Sequence, residues 1–433
     1  MRILIKNATL ISMSEKREKI EKDIDILIED SNIIKIEKKI EDKNIDKIIE
    51  AKDKIVMPGL INTHSHVPMS IFRETLDGYN LQDWLEQKIW PMEDKLTPED
   101  IYYGSKLSFI EMIQTGCTTI NDMYAMTQNI IDAACQTGIR LQTTRTFMNI
   151  AGEEDGNKRI KEFEEILKNN KNKYENINFN VAIHGLYTSS TQYVEKCIQI
   201  ARKNNLLIHM HFCENEKEVL DIKNKHNKMP IEMLDKFENT RLLLAHGVVL
   251  TSENIKRLSK ISKDKNIKVS ISHCPISNLK LGCGIANINE MLENNINVSL
   301  GTDGQGSGSN LDMFETMKYA ALLQKGNSKN PELMPSYEVL KMATINGAKA
   351  LELEEKIGSI DEGKKADLII LDLNKAVVNP INDICSDIVY NAKGTNVLTT
   401  MVNGKILMED RKIKIDEQEV YSKCKEIIDR ISM

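Results

Sequence analysis

Pro58-Gly59-Leu60-Ile61-Asn62-Thr63-His64-Ser65-His66 is a short apolar run, opened by a turn signal and closed by two histidines in alternation. The pattern recurs along the middle of the chain. β-type runs span Ile61–His66, Thr118–Asp122, Arg140–Arg145, Asn180–His184, Leu206–His211, Leu242–His246, Lys268–His273 and Asn297–Asp303. Longer stretches of helical character separate them, Pro98–Gln114 and Tyr337–Leu351 among them. Alternating β and α segments predict a parallel sheet, and eight such units predict a closed (β/α)8 barrel of the TIM type. Nearly every run finishes on His, Asp or Arg, so these side chains are expected to share one mouth at the carboxyl ends of the strands.

Both ends of the chain read differently. Ile24, Ile26 and Ile28 alternate with polar neighbours, Asp30-Ser31-Asn32 supplies a turn, and Ile34 and Ile36 alternate again. Near the other end, Ala366–Asp372 is apolar, and Val397–Val402 and Lys405–Leu407 flank Asn403-Gly404. That dipeptide is a strong hairpin signal, because both central residues must reach positive φ. The reading is therefore a small β-sandwich domain assembled from residues 1–57 and 358–433, around a catalytic barrel of residues 58–357.

Composition narrows the class. The chain has 433 residues, 41% hydrophobic and 28% charged, which suits an ordinary globular protein with a large core. No apolar run approaches the ~20 residues that cross a bilayer, and the first stretch lacks the pattern of a signal peptide. A net charge of −6 with interspersed signs argues against nucleic acid or an anionic membrane as partner. Eight scattered cysteines without CxxC pairing fit free thiols in a reducing cytoplasm.

Side chains alternate across a strand, so His64 and His66 lie on one side of its end and can grip a single ion. A lone HxH is equally a satisfied core pair. The case strengthens because six of only eight histidines end these runs. His226 lies in the Lys-rich NKHNK stretch and reads as surface. His209 and His211 share one alternation, and either can face inward. His211 is favoured because Glu214, three residues on, can reach back over the mouth, leaving His209 as a core residue one layer deeper. Asp303 is delivered by the apolar stretch Val298–Gly301 and flanked by glycines that let the backbone crowd a site. Three His and one Asp suit one Zn²⁺, and Fe, Mn or Ni fit the same donors. A bridging lysine for a second metal is missing, since the fourth run ends in His184.

PGLINTHSH, His211-Phe212-Cys213-Glu214, LLLAHG, SHCPISNLKLGCG and VSLGTDG together resemble the amidohydrolase superfamily over nearly the whole chain. Pro68-Met69 and Ser277–Gly282 point to its branch of 5-methylthioadenosine/S-adenosylhomocysteine deaminases. The resemblance implies His64, His66, His211 and Asp303 as metal ligands, Glu214 as proton shuttle, and His246 as the residue that steadies the water. It implies Trp84 and Glu93 near the nucleoside, with Glu93 on the ribose hydroxyls. It implies His184 against the purine, and Arg145 and Arg159 toward the amino-acid carboxylate of S-adenosylhomocysteine. After Asp303 the chain departs from the pattern. It reads Gly304-Gln305-Gly306-Ser307-Gly308-Ser309-Asn310 where Ala-Ala-Ser-Asn-Asn is expected.

The function expected from this resemblance is hydrolysis of S-adenosylhomocysteine or 5′-methylthioadenosine to the inosyl product and ammonia. The alternatives are the same chemistry on 5′-deoxyadenosine, adenosine, another purine or pyrimidine, or a triazine. The other zinc deaminase design is absent, because no second cysteine follows Cys274 at the required spacing. A non-catalytic scaffold on the same barrel would have little need for Glu214 and His246 beside a full ligand set.

Overall fold

The computed structural model describes residues 1–74, 78–79 and 81–432. Its middle is a parallel barrel with strands Leu60–Ser65, Cys117–Asp122, Arg140–Thr143, Ile177–Phe179 continued by Val181–Ile183, Ile208–Phe212, Arg241–His246, Lys268–His273 and Asn297–Leu300. Neighbours pair in parallel register on both sides of Asn180, where the fourth strand is interrupted. The last strand meets the first: Thr63 Oγ1 donates to Leu300 O, and Asp303 N donates to His64 O at 3.0 Å. The barrel expected from the sequence is thus present, with each strand within a few residues of its run.

Helices wrap the barrel where the sequence signals them. Pro98–Gln114 is one helix, because Thr97 and Asp100 cap it reciprocally and Pro98 occupies its first turn. The expected Tyr337–Leu351 segment is two helices, Ser336–Met342 and Ile345–Leu351. The break leaves the carbonyl of Ala343 free to accept from Ile61 N in the first barrel strand.

Strands from both ends of the chain form one hydrogen-bonded sheet, nine-stranded among the described residues. Its sandwich-like core gathers Ile3, Ile5, Ile24, Ile26, Ile28 and Ile36 with Leu368, Ile370 and Met401. Asn403 and Gly404 both take positive φ, as the hairpin requires. One expectation is corrected here. A bulge between Leu27 and Ile28 slips the register opposite them, so Ile33 is buried and Ile34 is exposed. Among the described residues no helix is long and apolar enough to cross a membrane.

A buried ion pair joins sheet and barrel. Arg140, opening the third barrel strand, donates Nε to Asp367 Oδ2 at 2.8 Å and Nη2 to Asp367 Oδ1 at 2.9 Å. It also donates to Asn403 Oδ1, while Asn403 N donates to Asp367. Both charged side chains are nearly inaccessible. Removing one partner strands the other charge in low dielectric. Arg140→Ala should cost about 3–5 kcal/mol of stability in chemical denaturation; a loss below about 1 kcal/mol would show the pair to be no more than a surface bridge.

Candidate metal centre and active site

The strand ends deliver the expected side chains to one point. His66 Nε2 lies 3.2 Å from Asp303 Oδ1 and 3.3 Å from His211 Nε2, and His64 Nε2 is 3.5 Å from the same Asp303 oxygen. Donor atoms of His64, His66 and Asp303 fall within 4.8 Å of one another, as do those of His64, His211 and His246. His211 faces the cavity, while His209 is fully buried beneath it, between His64 Nδ1 (2.9 Å) and Asn121 (3.0 Å).

The outer edges of these rings decide what the inner edges present. His66 Nδ1 donates to Met123 O and His211 Nδ1 to His184 O, both at 2.7 Å. A neutral ring whose Nδ1 carries the proton offers a bare lone pair at Nε2. Two such lone pairs 3.3 Å apart beside a carboxylate repel unless positive charge sits among them. Burial pulls the His66 pKa down, but the Asp303 bond and charge outweigh it and lift the group to about 9. Burial takes His64 to about 3 and holds His211 well below its ordinary value. One proton on His66 cannot also satisfy His64 Nε2 and His246 Nε2, which are buried without a hydrogen-bond partner. A metal cation satisfies several donors at once, and this N/O set fits one.

The neighbouring acids and bases sit on tight backbone. His246 and Asp303 both have positive φ (75° and 63°), as does Cys213 (52°) beside Glu214. Such conformations cost energy for non-glycine residues and persist only where the surroundings hold them. Here Glu218 holds the backbone, accepting from Cys213 N at 3.0 Å and Glu214 N at 2.7 Å. His246 Nδ1 is 2.8 Å from Asn278 Oδ1, and its Nε2 is 3.9 Å from Glu214 Oε1. Burial raises Glu214 above the usual carboxylate range and pushes Glu218 up to about 7. Burial opposes ionisation of Asp303 as well, yet the contacts of His64 and His66 hold its carboxyl well below the ordinary value.

A cavity of about 490 Å³ opens from this cluster. His66, His211, Glu214 and Asp303 line one part of its wall, and Trp84, Glu93, His184, Arg145 and Arg159 line others. Glu93 accepts from the Tyr124 hydroxyl, and burial raises its pKa. Burial lowers His184 to about 4, so it faces the cavity as a neutral ring. Arg145 Nε binds Glu162 at 2.8 Å and Arg159 Nε binds Asp155 at 2.6 Å. Each guanidinium is thereby oriented by a carboxylate from the helix Glu153–Asn170.

Some of the site was not legible in the sequence. His226 is half-buried rather than plain surface, tied by Nε2 to Leu186 O (2.9 Å) and by Nδ1 to Thr191 (3.0 Å). His273 ends a strand as expected, but it is buried with neither ring nitrogen partnered and belongs to neither donor group. The backbone role of Glu218 and the bond from Ser307 Oγ to Asp303 Oδ2 (2.8 Å) were missed. The short spacing from each to its partner was the only available signal.

The chain is similar to known proteins along nearly its whole length. Residues 55–407 match the model of the amidohydrolase family. A 5-methylthioadenosine/S-adenosylhomocysteine deaminase from Caldanaerobacter subterraneus is 40% identical over 97% of this chain and 96% of its own. A 5′-deoxyadenosine deaminase from Methanobrevibacter smithii is also 40% identical, over 99% and 98%. The solved structure of an adenosine deaminase from Xanthomonas campestris with bound zinc superposes with a TM-score of 0.91 at 26% identity, covering 99% of this chain and 98% of the other. A family model spanning residues 55–407 and relatives 40% identical along nearly the whole chain place this chain in the amidohydrolase family.

Proposed function

We propose that this chain is a metal-dependent hydrolytic deaminase of adenine nucleosides, converting S-adenosylhomocysteine and 5′-methylthioadenosine to the inosyl product and ammonia. The observation that carries the reading is a single cavity lined by a metal-type cluster with Glu214 and by a pair of oriented arginines. The names of the 40%-identical relatives support it. Eight free cysteines fit a reducing, cytoplasmic setting.

His64, His66, His211 and Asp303 would hold one Zn²⁺ per chain. A divalent cation there supplies Lewis acidity that makes water a nucleophile at neutral pH. The chain's own groups move the protons. Asp303, kept ionised, takes a proton from the water that adds to C6 of the adenine ring. Glu214, whose carboxyl burial biases toward its protonated form, gives its proton to N1. His246 steadies the attacking oxygen through its unpartnered Nε2. When the C6–N6 bond breaks, the proton on Asp303 passes to the departing amine and the hydroxyl proton returns to Glu214. Ammonia leaves, and both carboxyl groups regain their starting protonation.

Glu93 accepts from the ribose hydroxyls, with His184 and Trp84 flanking the nucleoside. Arg145 and Arg159, their Nε atoms already paired, offer their remaining N–H groups to the homocysteine carboxylate. A second reading, 5′-deoxyadenosine as substrate, is favoured by the equally similar relatives of that name. In that case the arginines would have no carboxylate to meet.

Purified protein should carry about one equivalent of zinc, measured by elemental analysis, and His211→Ala should lose most of it; a metal-free active protein would refute the centre. Glu214→Gln should retain metal while kcat falls by ~10²–10⁴, and wild-type turnover would remove Glu214 from the mechanism. Arg145→Ala should lower kcat/KM for S-adenosylhomocysteine roughly tenfold or more relative to 5′-methylthioadenosine. Equal losses for both nucleosides would make this arginine purely structural.

A further inference from the structure

The departure from the family pattern after Asp303 has a spatial consequence at Gly306. This residue is buried but does not line the cavity, whereas Trp84 and Met69, which pack on it, both do. A Cβ at 306 would lie 2.8 Å from Trp84 Cζ2 and 3.1 Å from Met69 Cε. The first distance is closer than real contacts allow, so something must yield. The methionine tip is flexible and moves cheaply. The indole is rigid and only 2% exposed.

The loop itself is poorly placed to retreat. Gln305, wholly buried, contacts Ser108 Oγ and Glu111 Oε2, both at 3.1 Å. Ser307 Oγ is held by Asp303 Oδ2 and Gly304 O, and Gly308 N donates to Gly304 O at 2.6 Å. Leu311 N closes the segment on Glu111 Oε1 at 2.8 Å. The turn is so tight that a Cβ at Gly308 would meet backbone oxygens of Thr302 and Gly304 at 2.8 and 3.0 Å.

We infer that Gly306 is a positioning residue that acts through Trp84 and sets the width of the cavity. By omitting one methyl behind Trp84, it lets the indole stand back and widens the cavity beside Asp303. A methyl there drives the ring toward the cavity, because the loop on the other side is pinned at every step. The wall concerned adjoins the reacting end, so narrowing it penalises every adenine nucleoside alike, whatever its 5′ substituent. This substrate statement rests on the deaminase reading; the packing statement does not.

The test is a double-mutant cycle on the zinc-loaded enzyme, with crystal structures of wild type and Gly306→Ala. Gly306→Ala should lower kcat/KM at least about tenfold for S-adenosylhomocysteine, 5′-methylthioadenosine and 5′-deoxyadenosine together, with metal content unchanged. In the Trp84→Phe background, where the smaller ring clears the methyl, the same substitution should cost less than about threefold. The variant structure should show the indole displaced and the Gln305–Gly308 turn in place. Equal losses in both backgrounds, an unmoved indole with a shifted turn, or loss of folding or metal would each overturn the inference. Wild-type enzyme inert toward all three nucleosides would instead overturn the deaminase reading, and the two crystal structures would still decide the role of Gly306.

Discussion

Two histidine Nε2 atoms, facing each other across 3.3 Å beside an ionised carboxylate, set the terms for the rest of this molecule. Such an arrangement is unfavourable in a buried site unless a cation balances it. It exists because the ring edges facing away are spent on fixed acceptors, the carbonyls of Met123 and His184. Those carbonyls belong to the ends of neighbouring barrel strands. The barrel therefore both collects the ligands and fixes their tautomers.

Holding these groups has a conformational cost, and the structure shows where it is offset. His246, Asp303 and Cys213 occupy left-handed backbone, which aims side chains that a regular strand end would turn elsewhere. Glu218 clamps the amides beside Glu214, Asn278 meets the outer nitrogen of His246, and Ser307 binds the second oxygen of Asp303. Burial then separates two carboxyl groups by role. Asp303, bonded to histidines, stays ionised, while Glu214, lacking such partners, is biased toward its protonated form. Two opposite protonation tendencies follow from the surroundings rather than from residue type.

The terminal sheet bears on the site only indirectly. Arg140 and Asp367 tie the start of the third barrel strand to the sheet, at the end remote from the cluster. The cavity wall is shaped instead by segments after the strands: the helix that orients Arg145 and Arg159, and the loop from Gly304 to Leu311 that backs Trp84. The donor cluster sits on the rigid strand tips, and much of the cavity wall on the connections.

Much of this was legible in the sequence, for a physical reason. Strand alternation puts His64 and His66 on one side, repeated β and α segments imply a barrel, and a barrel brings its strand ends together. Pro98–Gln114 and Asn403-Gly404 announce local geometry that neighbouring residues alone dictate, and the helix and hairpin appear where those signals lie. Other matters depend on contacts between distant segments, which pattern does not carry. The bulge that buries Ile33 instead of Ile34 and the tying down of His226 were decided by tertiary packing. So was the tightness of the turn after Asp303, because only the assembled fold shows that the absent methyl of Gly306 lies against the indole of Trp84. The sequence by itself determined which donors reach the mouth; the tertiary structure alone decided how their protons, lone pairs and neighbours are arranged, since those depend on distances across the barrel.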